Sequence, residues 1–210
     1  MDGVKIDYDT WKRRELYEHF LHTDVPFWSV TYEEDVTEVL AYCHQNHIPF
    51  YHAMIYLVTH ALNAVDAFHY AIRKDGIYRL EERLPSFTVL KPGQDTFQII
   101  TAESLCDSMA SFSAYASALT AAQQEFLVLS KESDALVFLS CLPWIKVSGL
   151  TNEGMSDPAD SIPRIAWGRY YKDNERTMIG MCFEVNHRLI DGVHIGMFHE
   201  AFRSLASSLQ

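Results

Sequence analysis

The sequence predicts an α/β or α+β fold in a single domain, on three observations. Short apolar runs of strand length alternate with longer runs of helical period all along the chain, so strands and helices must pack together. At 210 residues with 48% hydrophobic content there is enough apolar material for one sizeable core. No Gly-, Ser- or Pro-rich linker divides the chain, and no internal repeat or low-complexity segment is present. Residues 1–210 are therefore taken as one unit.

The elements follow in order. Asp9-Thr10 before Trp11 has the composition of a helix start, with the helix running through Leu16 towards Phe20. Trp28 to Tyr32 is a strand candidate and Thr37 to Gln45 a helix. Phe50 to Val65 is apolar on nearly every side, which places that helix in the core. Ile77 to Leu80, Ser86 to Leu90 and Thr96 to Thr101 are strand candidates, and Ser104 to about Gln124 is a helix rich in Ala, Ser and Met. Ala135 to Leu142 is a buried strand ended by Pro143. Gly149 to Ile162, with its Gly, Ser, Asn, Asp and Pro, is mostly loop. Pro163 to Tyr170 and Thr177 to Val185 form a strand pair joined through Lys172-Asp173-Asn174-Glu175. The last helix carries Ile195, Phe198, Phe202, Leu205 and Leu209 as one stripe.

Bulk properties exclude several classes. A formal charge of -11 argues against general nucleic-acid binding. The polar start, Met1 to Arg14, has no apolar core of a secretory signal, and no window is long enough for a membrane span. Cys43, Cys106, Cys141 and Cys182 lie far apart without zinc-type spacing, so no metal site is expected. They are expected to be reduced thiols in a cytoplasmic protein, with Cys141 a small core residue.

The segment from Glu184 to His194 (EVNHRLIDGVH) carries the chemistry. His187 takes and gives protons near neutral pH. Asp191 stands four residues on, placed to orient that histidine or to lock its loop. Gly192 allows a sharp turn. An apolar strand leads in and an amphipathic helix follows, so His187 belongs where a strand ends. In a chain with ten histidines this spacing alone is a modest signal.

The surroundings strengthen it. His187-x-x-x-Asp191-Gly192, Trp11-Lys12-Arg13, the helix beginning Phe50-Tyr51-His52, Phe87-Thr88-Val89 with Thr96-Phe97, and Ser140-Cys141-Leu142-Pro143-Trp144 occur in the order and spacing found in chloramphenicol acetyltransferases. The chain resembles that family along nearly its whole length. The resemblance implies a two-layer sandwich of a mixed β-sheet and packed helices. It implies transfer of an acetyl group from the co-substrate acetyl-coenzyme A to a hydroxyl acceptor, chloramphenicol first among candidates. His187 matches the general base, Ser140 the donor to the tetrahedral oxyanion, and Asp191 the partner of Arg13 in bracing the loop. Phe20, Trp28 and Phe97 match the acceptor pocket. Arg169, Tyr170 and Trp144 match the coenzyme A channel. The resemblance also implies a homotrimer, with the histidine of one subunit facing the acceptor pocket of the next.

Some positions depart from the family pattern. Asn186 stands where the family has the first histidine of a pair. Arg188 replaces a small residue and faces either the adjacent loop, a subunit contact or the site itself. Ala166 replaces a threonine that helps hold a water, a change expected to cost some rate. Pro26 replaces a small pocket residue, and Pro49 a basic residue before the central helix. Two other readings compete. Asn186-His187-Arg188 through Asp191-Gly192 also resembles the motif of dihydrolipoyl acyltransferase domains, and a non-catalytic binder on the same fold is a different class altogether.

Overall fold

The computed structural model describes residues 3–153 and 157–209. Its elements are β1 (Val4–Lys5), α1 (Arg14–Phe20), β2 (Phe27–Asp35), α2 (Thr37–Asn46), α3 (Phe50–Asn63), β3 (Tyr70–Arg73), β4 (Gly76–Arg79), β5 (Leu84–Leu90), β6 (Phe97–Thr101), α4 (Met109–Ala122), β7 (Leu136–Leu142), β8 (Arg164–Gly168), β9 (Tyr171–Asp173), β10 (Arg176–Asn186) and α5 (Gly192–Ser207).

Period-2 alternation decides how they pack. Val137 and Leu139 on β7, Ile165 and Trp167 on β8, and Ile179, Met181, Phe183 and Val185 on β10 are all buried in one core. Their neighbours Ser140, Arg164, Cys182 and Glu184 point to the opposite face. The helices bring matching stripes to the apolar face: Met54, Leu57, Val58 and Leu62 from α3, Phe112 from α4, and Ile195, Phe198 and Phe202 from α5. One layer of helices on one face of a sheet is the two-layer sandwich expected.

The main sheet runs β2-β10-β8-β7-β5-β6, with β9 on β10, and a small sheet runs β1-β4-β3. The β5, β7 and β8 strands are mutually parallel and the other main-sheet pairs antiparallel, so the sheet is mixed. The β10 strand, last in the sequence, lies inside the sheet and pairs with β2 along nine residues.

The sequence misplaces a few boundaries. Asp9 and Thr10 lie in a turn, and α1 begins only at Arg14. Asp7 accounts for this: its carboxylate accepts from the Asp9 N–H and the Thr10 hydroxyl, an Asx-type turn that competes with helix capping. The α4 helix starts at Met109, capped by Ser108, whose hydroxyl accepts from the Ser111 N–H. Cys106 at φ 57° stops the helix from reaching back to Ser104. The strand expected from Pro163 to Tyr170 ends at Gly168, and a separate β9 makes the hairpin with β10. Of the loop expected over 149–162, residues 154–156 lie outside the described residues.

Two glycines position a loop used below. A side chain at Gly180 would collide with the Val147 carbonyl, and one at Gly168 with the Ile145 carbonyl and Val147. Only glycine lets this segment lie flat across the end of β8 and the middle of β10.

Candidate active site

His187 directly follows β10. Its N–H donates to the Pro26 carbonyl at 2.6 Å. Its ring stacks on Phe20, with centroids 4.3 Å apart and 19° between planes, and lies tilted against Trp28 at 5.3 Å. The Trp28 indole N–H is spent on the Ile190 carbonyl at 3.0 Å. The aromatic pair therefore holds the imidazole by its faces. Its Nδ1 is buried with no hydrogen-bond partner among the described residues.

The loop beneath the ring is tied down by two arginines. The Arg13 guanidinium donates to the His187 and Arg188 carbonyls, each at 3.0 Å, and to Asp191 Oδ2 at 2.6 Å. The planar fork of arginine suits this three-way contact in a way a lysine would not. Asp191 also caps α5: its Oδ1 accepts from the Val193 N–H, and its own N–H donates to His194 Nδ1 at 3.1 Å. Burial alone would raise the Asp191 carboxyl, but the hydrogen bond and charge of Arg13 hold it below the ordinary carboxylate range. Burial pushes the His194 imidazole down, which suits an Nδ1 that accepts a hydrogen bond.

Arg188 resolves the alternatives left by the sequence: it faces the adjacent loop. Only 6% exposed, it donates to the carbonyls of Phe20, Leu21, Thr23 and Pro158. It therefore clamps the end of α1, and with it Phe20, against the histidine loop. Asn186 is structural too. Its amide donates to the Pro158 and Asp160 carbonyls and its oxygen accepts from the Arg188 N–H.

Ser140 lies elsewhere. Strand register sets it between Thr88 on β5 and Ala166 on β8, on the sheet face away from the helices. Its hydroxyl is 3.3 Å from that of Thr88. Above it opens a cavity of about 940 Å³, walled in part by Phe97, Phe126, Phe138 and Trp144. Cys141 also lines this cavity, and burial pushes its thiol up to about 12, so it offers no thiolate nucleophile. The register separates Ser140 from His187 by two strand spacings sideways and five residues lengthwise. At ordinary strand dimensions that is on the order of 20 Å. Within one chain, His187 and Ser140, the expected base and oxyanion donor, are not brought together.

The structure thus divides the expected site residues into three groups. Phe20, Trp28, Arg13 and Asp191 gather at His187. Phe97 and Trp144 share the cavity of Ser140. Arg169 and Tyr170, both exposed, leave the end of β8 beside the segment that carries Trp144, since the Arg169 N–H donates to the Ile145 carbonyl. Tyr170 packs edge-on against Phe50. Among the described residues the Arg169 side chain has no partner, which leaves it available to an anionic ligand.

Similarity to known proteins decides the family. The chloramphenicol acetyltransferase model matches residues 1–203. The chain belongs to the chloramphenicol acetyltransferase family. Family membership makes it an acyltransferase. A chloramphenicol acetyltransferase of Staphylococcus aureus is 26% identical over 209 residues, 98% of this chain and 96% of that protein. Chloramphenicol acetyltransferase 3 of Escherichia coli is 25% identical over 211 residues, 99% of each. A solved chloramphenicol acetyltransferase superimposes with a TM-score of 0.89 over the whole of both chains at 19% identity. The Azotobacter vinelandii dihydrolipoamide acetyltransferase shares the fold more loosely, at a TM-score of 0.69 and 17% identity, covering 92% of this chain and 85% of that one.

Sequence reasoning left two groups without a role. Thr88 was visible only as part of a strand, and its pairing with Ser140 depends on register between strands some fifty residues apart. Arg164, Glu132, Ser86 and Thr101, all on or beside the cavity floor, carry no local motif.

Proposed function

We propose that the protein is an O-acetyltransferase that uses acetyl-coenzyme A and a hydroxyl acceptor, chloramphenicol being the first to test, and that it works as a homotrimer with its sites between subunits. The observation that carries the reading is the separation of two half-sites. An aromatic-held imidazole and an open cavity holding Ser140 lie on the order of 20 Å apart in one chain, as the strand spacing requires. A neighbouring copy that brings its His187 to this cavity completes the constellation.

In the complete site His187 takes the proton of the acceptor hydroxyl as that oxygen attacks the thioester carbonyl. The carbonyl oxygen becomes an oxyanion, and the Ser140 hydroxyl donates to it. Collapse expels the coenzyme A thiolate, which recovers the proton from His187. Arg13 and Asp191 move no proton; they hold the loop. Phe20 and Trp28 fix the imidazole and border the acceptor, while Phe97 lines the pocket. Trp144, Tyr170 and Arg169 form the approach for coenzyme A, with Arg169 opposite a phosphate.

A small-molecule acceptor, with neither nucleic acid nor membrane as partner, fits the charge of -11 and the lack, among the described residues, of a helix long and apolar enough to cross a membrane. The four free cysteines favour a cytoplasmic setting. No cluster of His, Cys, Asp and Glu suited to a metal occurs among the described residues, and the proposed chemistry calls for none.

The test is thiol release from acetyl-coenzyme A with chloramphenicol, beside a no-acceptor control and two variants. His187→Ala should remove at least about 10²-fold of the rate with melting unchanged. Co-expressed His187→Ala and Ser140→Ala chains should regain turnover that neither has alone, because some mixed sites then hold both groups. Acceptor-dependent release retained by His187→Ala would sink the general-base role. Failure of the mixed chains to recover would sink the shared site.

A further inference from the structure

The His187 loop and the first helix hold each other through a residue that has no part in the reaction above. Among the described residues no hydrogen bond to Nδ1 orients the His187 imidazole. A catalytic imidazole is commonly oriented by a bond to its second ring nitrogen. Here orientation rests on aromatic contacts, the Phe20 stack at 4.3 Å and the tilted Trp28 at 5.3 Å.

The two rings are not equally secure. Trp28 lies on β2, which pairs with β10 in the sheet, and its indole N–H is spent on the Ile190 carbonyl. Phe20 is the last residue of α1. That helix is seven residues long, has no fully buried residue and has no side-chain cap at its start. A helix of about two turns is marginal by itself, and the carbonyls at its end lack intrahelical donors.

Arg188 supplies donors there. Its Nε donates to the Phe20 carbonyl at 3.0 Å, and one terminal nitrogen donates to the Leu21 carbonyl at 2.9 Å and the Thr23 carbonyl at 3.4 Å. The other terminal nitrogen donates to the Pro158 carbonyl at 2.9 Å. The guanidinium thus seals the end of α1 from outside the helix, and the residue that carries it is the neighbour of His187. The tie is reciprocal. Arg13, just before α1, donates to the His187 and Arg188 carbonyls. The loop therefore grips both ends of the helix whose last ring covers its imidazole. A lysine, with a point charge in place of a fork, meets such a set of carbonyls only in part.

We infer that Arg188 is a positioning residue for proton transfer, setting the orientation of the His187 imidazole through Phe20. Without the fork the end of α1 loosens, and the stack loosens with it. The imidazole then samples orientations from which its nitrogen does not reach the acceptor hydroxyl. The inference rests on the acetyl-transfer reading for its effect on rate, and on the geometry alone for its effect on the ring.

Two measurements test it on Arg188→Lys, Phe20→Ala and the double variant, each checked for folding by circular dichroism. Arg188→Lys is chosen over Arg188→Met because the ammonium keeps the charge and part of the hydrogen bonding. The first measurement is the NMR signal of the His187 ring protons in protein with isotope-labelled histidine, assigned by its loss in His187→Ala. Stacking on Phe20 shields those protons, so Phe20→Ala should move the signal downfield, and Arg188→Lys should move it the same way. A signal left in place by Arg188→Lys overturns the inference. The second is thiol release with chloramphenicol. Arg188→Lys should lower kcat about tenfold and leave KM for acetyl-coenzyme A within about twofold. The double variant should stay within about threefold of Phe20→Ala, since the two residues act in series on one ring. Losses that multiply would show Arg188 acting by another route and overturn the inference. A merely structural arginine would lower the melting temperature and leave both the ring signal and kcat unchanged. If the ring signal moves as expected but no form of the protein releases thiol, the acetyl-transfer reading fails and the positioning of the imidazole stands.

Discussion

The His187 loop and the Ser140 cavity are built in opposite ways. The loop is over-determined: Arg13 and Arg188 together donate to six backbone carbonyls, and Asp191 closes both an ion pair and a helix cap. The cavity floor rests on strand register and a few hydroxyl contacts, and Trp144 at its edge is 65% exposed. One region fixes a single imidazole and tolerates little change. The other presents a surface whose side chains can be exchanged without disturbing the backbone. On the proposed reading, proton transfer is secured in the first, and the choice of acceptor is left to the second.

The sharpest way to break this contrast is to remove function from the cavity without touching stability. Ser140→Ala should lower kcat by about 10²- to 10³-fold, while the urea midpoint stays within error. A large stability loss would show the serine to be a structural member of the sheet. The loop should respond the other way round. Arg188→Met takes a donor from four carbonyls, leaving those of Leu21 and Thr23 without a partner among the described residues while Pro158 keeps Asn186 and Phe20 keeps the Thr23 N–H, and should cost about 3 kcal/mol in urea unfolding. A cost under about 1 kcal/mol would mean that water replaces the guanidinium, as at ordinary surface sites. Arg13→Ala, less buried, should cost about 2 kcal/mol and lower kcat more than it raises KM, because the imidazole loses its backbone anchor. Unchanged kinetics would take Arg13 out of the loop's support.

Acid should distinguish the regions most gently. Burial holds the imidazoles of His52, His60 and His194 below the usual histidine value. Between the folded and unfolded values the unfolded chain binds more protons, so stability should fall as pH drops below about 6.5. Asp191 and Asp134, both held low, Asp191 by Arg13 against the pull of burial and Asp134 chiefly by Arg73, add a further loss only below about pH 4. Chemical denaturation at pH 7.5, 6 and 5 reads the first step. His194→Gln should flatten it in part, since His194 in the first turn of α5 accepts from the loop's Asp191 N–H; an identical slope in that variant would assign the effect to His52 and His60 on α3.

The same contrast explains what the sequence made legible. His187, Asp191 and Arg13 were found because the loop's chemistry is local: a histidine, an aspartate and a glycine within six positions, with an arginine in a recognisable first segment. The core was legible because period-2 and period-3.6 patterns report burial directly. Ser140 stood out beside Pro143 and Trp144, but its partner Thr88 did not, because register between distant strands leaves no trace in either one. Arg188 was visible as an oddity whose direction no pattern could supply. Its donors meet carbonyls, and carbonyls are the same whatever residue bears them. The polar floor was missed for the same reason: Glu132, Arg164, Ser86 and Thr101 meet only through the sheet.

The placement of β10 also governs how the molecule comes into being. This strand lies between β2, from the start of the chain, and β8. During synthesis β2 is made more than a hundred residues before the neighbour that will bind it. Until then its edge has no main-sheet partner, and the nascent chain must keep it from pairing with other strands. Arg13 must likewise wait for Asp191. The histidine proposed as the base is thus delivered by the same event that closes the sheet. Half-made chains are exposed to aggregation, and a chain positions His187 and completes its fold in one late, cooperative step.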